Sequence, residues 1–192
     1  MFLALAILLL FNEAGSDNVS ISIEVLPVIA IGTTTIVDND NVVTFSQLTP
    51  GSTSDTTPAD SNDALIVANE GNVLIDIAIS SDTLFDTTTP SANGTEYYQF
   101  NVSDYEAGAI DDTYGRSDAP TWTNVSTDGV TRKAAAQGVN FEDSKDEIRI
   151  DFKVTVPLSE GAGNKNATVV VYAVQDTLTV NPTNSSTNDA AS

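Results

Sequence analysis

Apolar and polar side chains alternate with a period of two through most of this chain, and nowhere does apolar spacing of the helical kind persist for three turns. Val19, Ile21, Ile23 and Val25 alternate with Ser20, Ser22 and Glu24 until Pro27 interrupts, before the apolar run 28–31. A turn at 38–41 precedes the predicted strand 42–45. A loop over 49–63, rich in Pro, Gly, Ser, Thr and Asp, leads to a strand over 64–68, a tight turn at 69–72 and a strand over 73–79. Residues 87–95 read as loop and 96–102 as an aromatic strand. Residues 104–129 carry few apolar side chains and read as a long surface excursion. In 147–156 the even positions Ile148, Ile150, Phe152, Val154 and Val156 are apolar, and the odd positions Glu147, Arg149, Asp151, Lys153 and Thr155 predict a wet face. Residues 167–174 are apolar almost without interruption, which predicts a strand inside a sheet. Some eight strands without helices imply an all-β fold, a single two-sheet sandwich of immunoglobulin-like or jelly-roll type with an extended amino-terminal strand.

The 192 residues suit one domain with one core, and no internal repeat argues for more. With 27 acidic against 7 basic side chains the formal charge is −20, which excludes a basic nucleic-acid-binding face. The absence of Cys and His removes disulfides, Cys/His zinc sites, thiol nucleophiles and the Ser-His-Asp triad. A glycoside hydrolase needs two spaced carboxyls in an aromatic cleft, and Trp122 with a few Tyr is thin material for one. The chain therefore reads as a non-enzyme with no cofactor.

Residues 2–11 form an unbroken apolar run followed by polar and small residues over 12–17. The run is too short to cross a bilayer, which takes about 20 residues, so no stable transmembrane span is expected. It matches the apolar region of a secretory leader, with Ala14, Gly15 and Ser16 near a cleavage point, although a basic stretch before it is missing. A pilin-type stalk and a buried first element are the competing readings. The expected division is a leader at 1–16, the sandwich at 17–180 including a possible donor strand at 18–31, and a polar flexible tail at 181–192.

Two stretches are more specific. Residues 43–51 end a strand in Leu48-Thr49-Pro50-Gly51, and residues 65–77 carry the hairpin pattern Ala68-Asn69-Glu70-Gly71-Asn72. Together with 152–157 and 168–172, over about a third of the chain, they resemble exported archaeal β-sandwich surface proteins and, more distantly, camelysin/TasA-type fibre subunits and archaeal bundling pilins. The resemblance implies a homopolymer of identical subunits, in which an amino-terminal strand completes the open sheet of the next subunit by donor-strand complementation. Val19, Ile21, Ile23 and Val25 have the chemistry of such a donor; an ordinary first strand paired within its own sheet has it equally. The metallopeptidase activity sometimes associated with camelysin-like proteins does not carry over to a chain without His.

Six Asn-x-Ser/Thr sequons, at Asn18, Asn93, Asn101, Asn124, Asn166 and Asn184, are candidates for N-linked glycan. The carboxylate groups Asp38/Asp40, Asp111/Asp112 and Glu142/Asp143/Asp146/Glu147 are weighed as calcium ligands, with Asp111 and Asp112 preferred and solvated turns as the plainer reading. The expectation is a secreted structural protein of the cell surface, a filament or pilus subunit. Its rival is a monomeric surface or S-layer-associated adhesion module that binds through 104–129.

Overall fold

The computed structural model describes residues 24–36, 40–57, 63–85, 97–110, 121–128 and 130–176. Nine strands lie among them: β1 (Ile31–Thr35), β2 (Thr53–Asp55), β3 (Leu65–Asn69), β4 (Ile75–Ser81), β5 (Tyr98–Asp104), β6 (Thr123–Asn124), β7 (Lys133–Val139), β8 (Glu147–Thr155) and β9 (Val169–Gln175). None of the described residues is helical.

β8, the most strictly alternating strand, lies at the centre of the larger sheet. Its even residues Ile148, Ile150, Phe152 and Val154 are buried. They lie beside Val102, Phe100 and Tyr98 of β5 and beside Leu65 and Val67 of β3, in antiparallel register. The sheet runs β1-β3-β8-β5-β6, and β2 pairs with the far end of β8, in line with β3. The smaller sheet runs β7-β4-β9, also antiparallel. Its inner residues Ile75, Ile77, Ile79, Ala136 and Val139 close the core from the other side. Each large aliphatic side chain removed from water there contributes about 1.5–3 kcal/mol, so one continuous core holds the two sheets as a sandwich. Tyr98 stacks its ring 6.0 Å from that of Phe152, and burial pushes its phenol up to about 12 against the opposing hydrogen bond with Ser81.

Several expectations change. Residues 42–45 form no ladder; Val43 and Phe45 pack their side chains on the core while the backbone stays outside the sheets. The turn at 69–72 joins strands of different sheets rather than a hairpin. Asn69 drives this crossing: its buried amide donates to the carbonyls of Val73 at 2.9 Å and Val139 at 3.1 Å, and its Oδ1 accepts from Gly71 N at 3.1 Å. Part of the excursion 104–129 returns to the fold, since Ala109, Ile110 and Val125 are buried and Ile110 bridges Val139. The outer face of β8 is not wet at its middle. Asp151 is almost wholly buried and Arg149 largely so, paired at 2.8 Å and clasped by Thr56, whose hydroxyl donates to Asp151 at 2.7 Å. Finally β9, predicted as interior, is an edge strand among the described residues.

Candidate assembly interface

Two features of the described residues stand outside the closed sandwich. The first is the segment 24–30, which precedes β1. It joins neither sheet and carries Val25, Leu26, Val28 and Ile29 exposed. Exposure rises steadily away from the body, from 47 % at Ile29 through 52 % and 68 % to 75 % at Val25. Three hydrogen bonds tether its base to one residue of the turn between β3 and β4. Asn72 N donates to Val28 O at 3.1 Å, Val28 N donates to Asn72 Oδ1 at 2.6 Å, and Asn72 Nδ2 donates to Leu26 O at 3.0 Å. Gly71 permits the approach, because a Cβ there would lie 2.3 Å from Val28 O.

The second is the outer edge of β9. Asp176 N donates to Leu74 O and Asp82 N to Thr168 O, which fixes the parity of the β4–β9 ladder. Residues 170, 172 and 174 exchange bonds with β4, so the N–H and C=O groups of Val169, Val171, Ala173 and Gln175 point away from it. Val169, Val171 and Ala173 pack on the core yet stay only half-buried, while Val170 and Val174 on the other face are exposed. Arg132 lies over the Tyr172 ring at 4.0 Å, and the Tyr172 hydroxyl accepts from Ser80 Oγ at 3.3 Å, which together hold the strand's middle.

The other edges differ. β7 is bulged against β4, has Gly138 at a φ of 65°, and is tied at its end by Asn140 N donating to Ala109 O at 2.8 Å. β6 has two residues, and β1 is rich in Thr. Bulges, charges and short lengths are the usual protections of a sheet edge, and β9 has none of them.

Of the predicted donor residues, Val25 lies in the exposed segment; Val19, Ile21 and Ile23 lie outside the described residues. So do the sequons at Asn18, Asn93 and Asn184, together with Asp38, Asp111 and Asp112, the leader 1–16 and the tail 181–192. Asn166 is exposed in the loop before β9. Asn124, on β6, accepts from Gln99 Nε2 at 3.0 Å. Asn101 sits opposite Asp151 in the large sheet with its carboxamide oxygen buried.

The remaining carboxylates serve local structure. Asp40 Oδ1 accepts from Val42 N at 2.7 Å, and Glu142 pairs with Lys145 at 3.4 Å. Glu106 Oε2 accepts from Asp146 N at 3.0 Å. Desolvation, reinforced by Glu106, pushes the Asp146 carboxyl above its usual range; desolvation, then the charges of Glu106 and Asp146, does the same for Glu147. No group of three metal-ligating side chains is assembled among the described residues. Neither is any helix long and apolar enough to cross a membrane.

The edge of β9 is the feature that sequence reasoning missed, because side-chain pattern reports what covers a strand's faces and not what lies beside it. Compared with known proteins, the chain matches no family model and no curated protein sequence.

Proposed function

We propose that the chain is a structural subunit of an extracellular filament or pilus, exported through its leader and joined to identical neighbours by donor-strand complementation. The observation that carries this reading is the segment 24–30. Four large apolar side chains in seven residues lie off both sheets and become more exposed toward the alternating sequence 18–25. A folded monomer gains nothing from such a segment, whereas a neighbouring sheet edge would gain main-chain hydrogen bonds and apolar contact from it. The role is structural rather than catalytic, and N-linked glycan on exposed sequons such as Asn166 fits an extracellular surface.

The test is electron microscopy of the native extracellular material, with mass spectrometry to place the mature amino terminus, followed by deletion of residues 18–30. The expected result is regular filaments from the intact chain, and a folded monomer without filaments from the truncated one. Filaments of unchanged length after the deletion would overturn the reading. With a charge of −20 per subunit, filament yield is also expected to rise with salt, which screens repulsion to about 8 Å at physiological ionic strength.

A further inference from the structure

Resting on the filament reading, we infer that the acceptor for the amino-terminal strand is the open edge of β9 in a second copy of the chain, and that residues 18–25 of the incoming copy pair with Val169–Gln175.

The backbone argues first. β-augmentation needs a row of outward N–H and C=O groups, and the β4–β9 ladder leaves those of Val169, Val171, Ala173 and Gln175 aimed away from the sheet. Seven residues of β9 and eight of 18–25 match in length. The side chains argue second. Val169, Val171 and Ala173 line the core only half-covered, so an added strand with apolar residues at every second position would extend the inner layer past them. Val19, Ile21, Ile23 and Val25 supply that period, with Ser20, Ser22 and Glu24 left to the outer face.

Charge argues third. Two copies at −20 repel across most of their surfaces, yet β9 contains no acidic or basic side chain and 18–25 only Glu24. The approach of these two stretches brings no like charges into register, and the exposed Arg132 beside Tyr172 is one of only 7 basic side chains in the sequence.

The occupant is a second copy rather than the chain's own segment because of how the chain leaves β1. Ile31 pairs with Asn69, so the residues before it run past the β3–β4 turn, where Asn72 holds Val28 and Leu26. To return along its own β9 the chain would have to reverse. The nearest turn-forming residue, Pro27, is flanked by Leu26 and Val28, both held by Asn72, and exposure is still rising at Val25.

The chain lacks Cys, which makes disulfide trapping clean. One set of chains carries Val19→Cys, Ile21→Cys or Ile23→Cys, a second set Ser20→Cys or Ser22→Cys, and the acceptor chain carries Val171→Cys. Mixed filaments oxidised together are expected to give covalent dimers between Val171→Cys and the odd-numbered set, with loss of the product for the even-numbered set. Val171→Pro removes an outward N–H and no bond to β4, so it is expected to leave a folded monomer and abolish filaments.

An intramolecular bond in a monomeric Ile21→Cys/Val171→Cys chain overturns the second copy as occupant. Filaments of normal length from Val171→Pro, with no cross-link of either parity, overturn β9 as acceptor while leaving the filament reading intact. Absence of polymers from the unsubstituted protein overturns the filament reading and this assignment with it.

Discussion

β8 and β9 both turn apolar side chains to the core, and they occupy opposite situations. β8 carries charges at alternate positions and lies at the centre of six strands, with β3 and β2 on one side and β5 on the other. β9 is apolar at almost every position and, among the described residues, has a neighbour on one side only. The charges of β8 survive at the centre because they satisfy each other. Arg149 Nε contacts both Asp151 oxygens at 3.0 Å, and its Nη2 donates to Thr56 O at 2.6 Å. The apolar side chains of β9 lie at the edge half-buried or exposed. Central position is thus set by which backbone edges find partners, whereas side-chain polarity is set by what covers each face.

That contrast breaks most sharply at Asp151. Asp151→Ala removes the partner of a largely buried guanidinium and should cost about 3–5 kcal/mol in urea unfolding. Arg149→Met with Asp151→Leu removes both charges and is expected to recover most of that loss, since a well-packed apolar pair replaces a desolvated ionic one. A full loss in the double variant would show that Thr56, left with unmet bonds, and not the stranded charge sets the cost.

Truncation compares the two strands directly. Ile150→Ala in β8 opens a cavity beneath Leu65 and Val102 and should cost about 2–5 kcal/mol. Val174→Ala on the outer face of β9 should change stability of the monomer by no more than about 0.5 kcal/mol. A large loss at Val174 would mean that the face is covered in the monomer, and the two strands would then be alike.

Much of the fold was legible in the sequence for the same reason that β8 tolerates its charges. Alternation marks β4, β5 and β8, and short apolar runs mark β3 and β9, all to within a few residues. β7 is not, because Lys133, three alanines and Gln137 carry no β-branched residue before Val139. It is a strand because β4 needs a partner and small residues let the sheet bulge there, with Gly138 N donating to Asp76 at 3.0 Å. β2 and β6 are held only by the strands they pair with. Conversely Val43 and Phe45 promise a strand and deliver only packing, joining no ladder among the described residues. The candidate interface was half legible: the alternation at 19–25 is the pattern the proposed donor needs, but nothing in the pattern of 167–174 tells an edge from an interior.

Smaller effects sharpen the difference between body and segment. Gly71→Ala places a Cβ against Val28 O and close to Asn69 Oδ1, so the tether through Asn72 must shift or break. The expected cost is about 1 kcal/mol. Hydrogen exchange should report loss of protection at the Val28 amide, with that of Ile150 in β8 unchanged. If both amides lose protection together, the segment is part of the cooperative unit and not an appendage to it.

The smallest effects lie in two carboxylate groups with opposite pH sense. Asp146 and Glu147, at the entrance to β8, have carboxyls raised above their ordinary values of 3.8 and 4.5 by desolvation and by Glu106. The native state therefore holds their protons more tightly than the unfolded chain, and stability falls as pH rises from those values through the raised native ones. Asp128, in the loop before β7, is the reverse: it accepts from Thr131 Oγ1 at 2.6 Å, Thr131 N at 2.7 Å and Val130 N at 2.9 Å, and its carboxyl is lowered. Its contribution is present above pH 3.8 and fades as pH falls toward the lowered native value. Asp146→Asn with Glu147→Gln should flatten the decline of Tm above pH 4 and raise Tm at neutral pH, whereas Asp128→Asn should lower Tm at neutral pH and not at pH 3. Asp146 and Glu147 are part-buried and Asp128 is exposed, so salt should shrink only the share of the first effect that comes from neighbouring carboxylates and leave the second, which rests on hydrogen bonds, nearly unchanged. Equal salt sensitivity at the two sites would mean that the net charge of −20, rather than these local contacts, governs how the protein responds to pH.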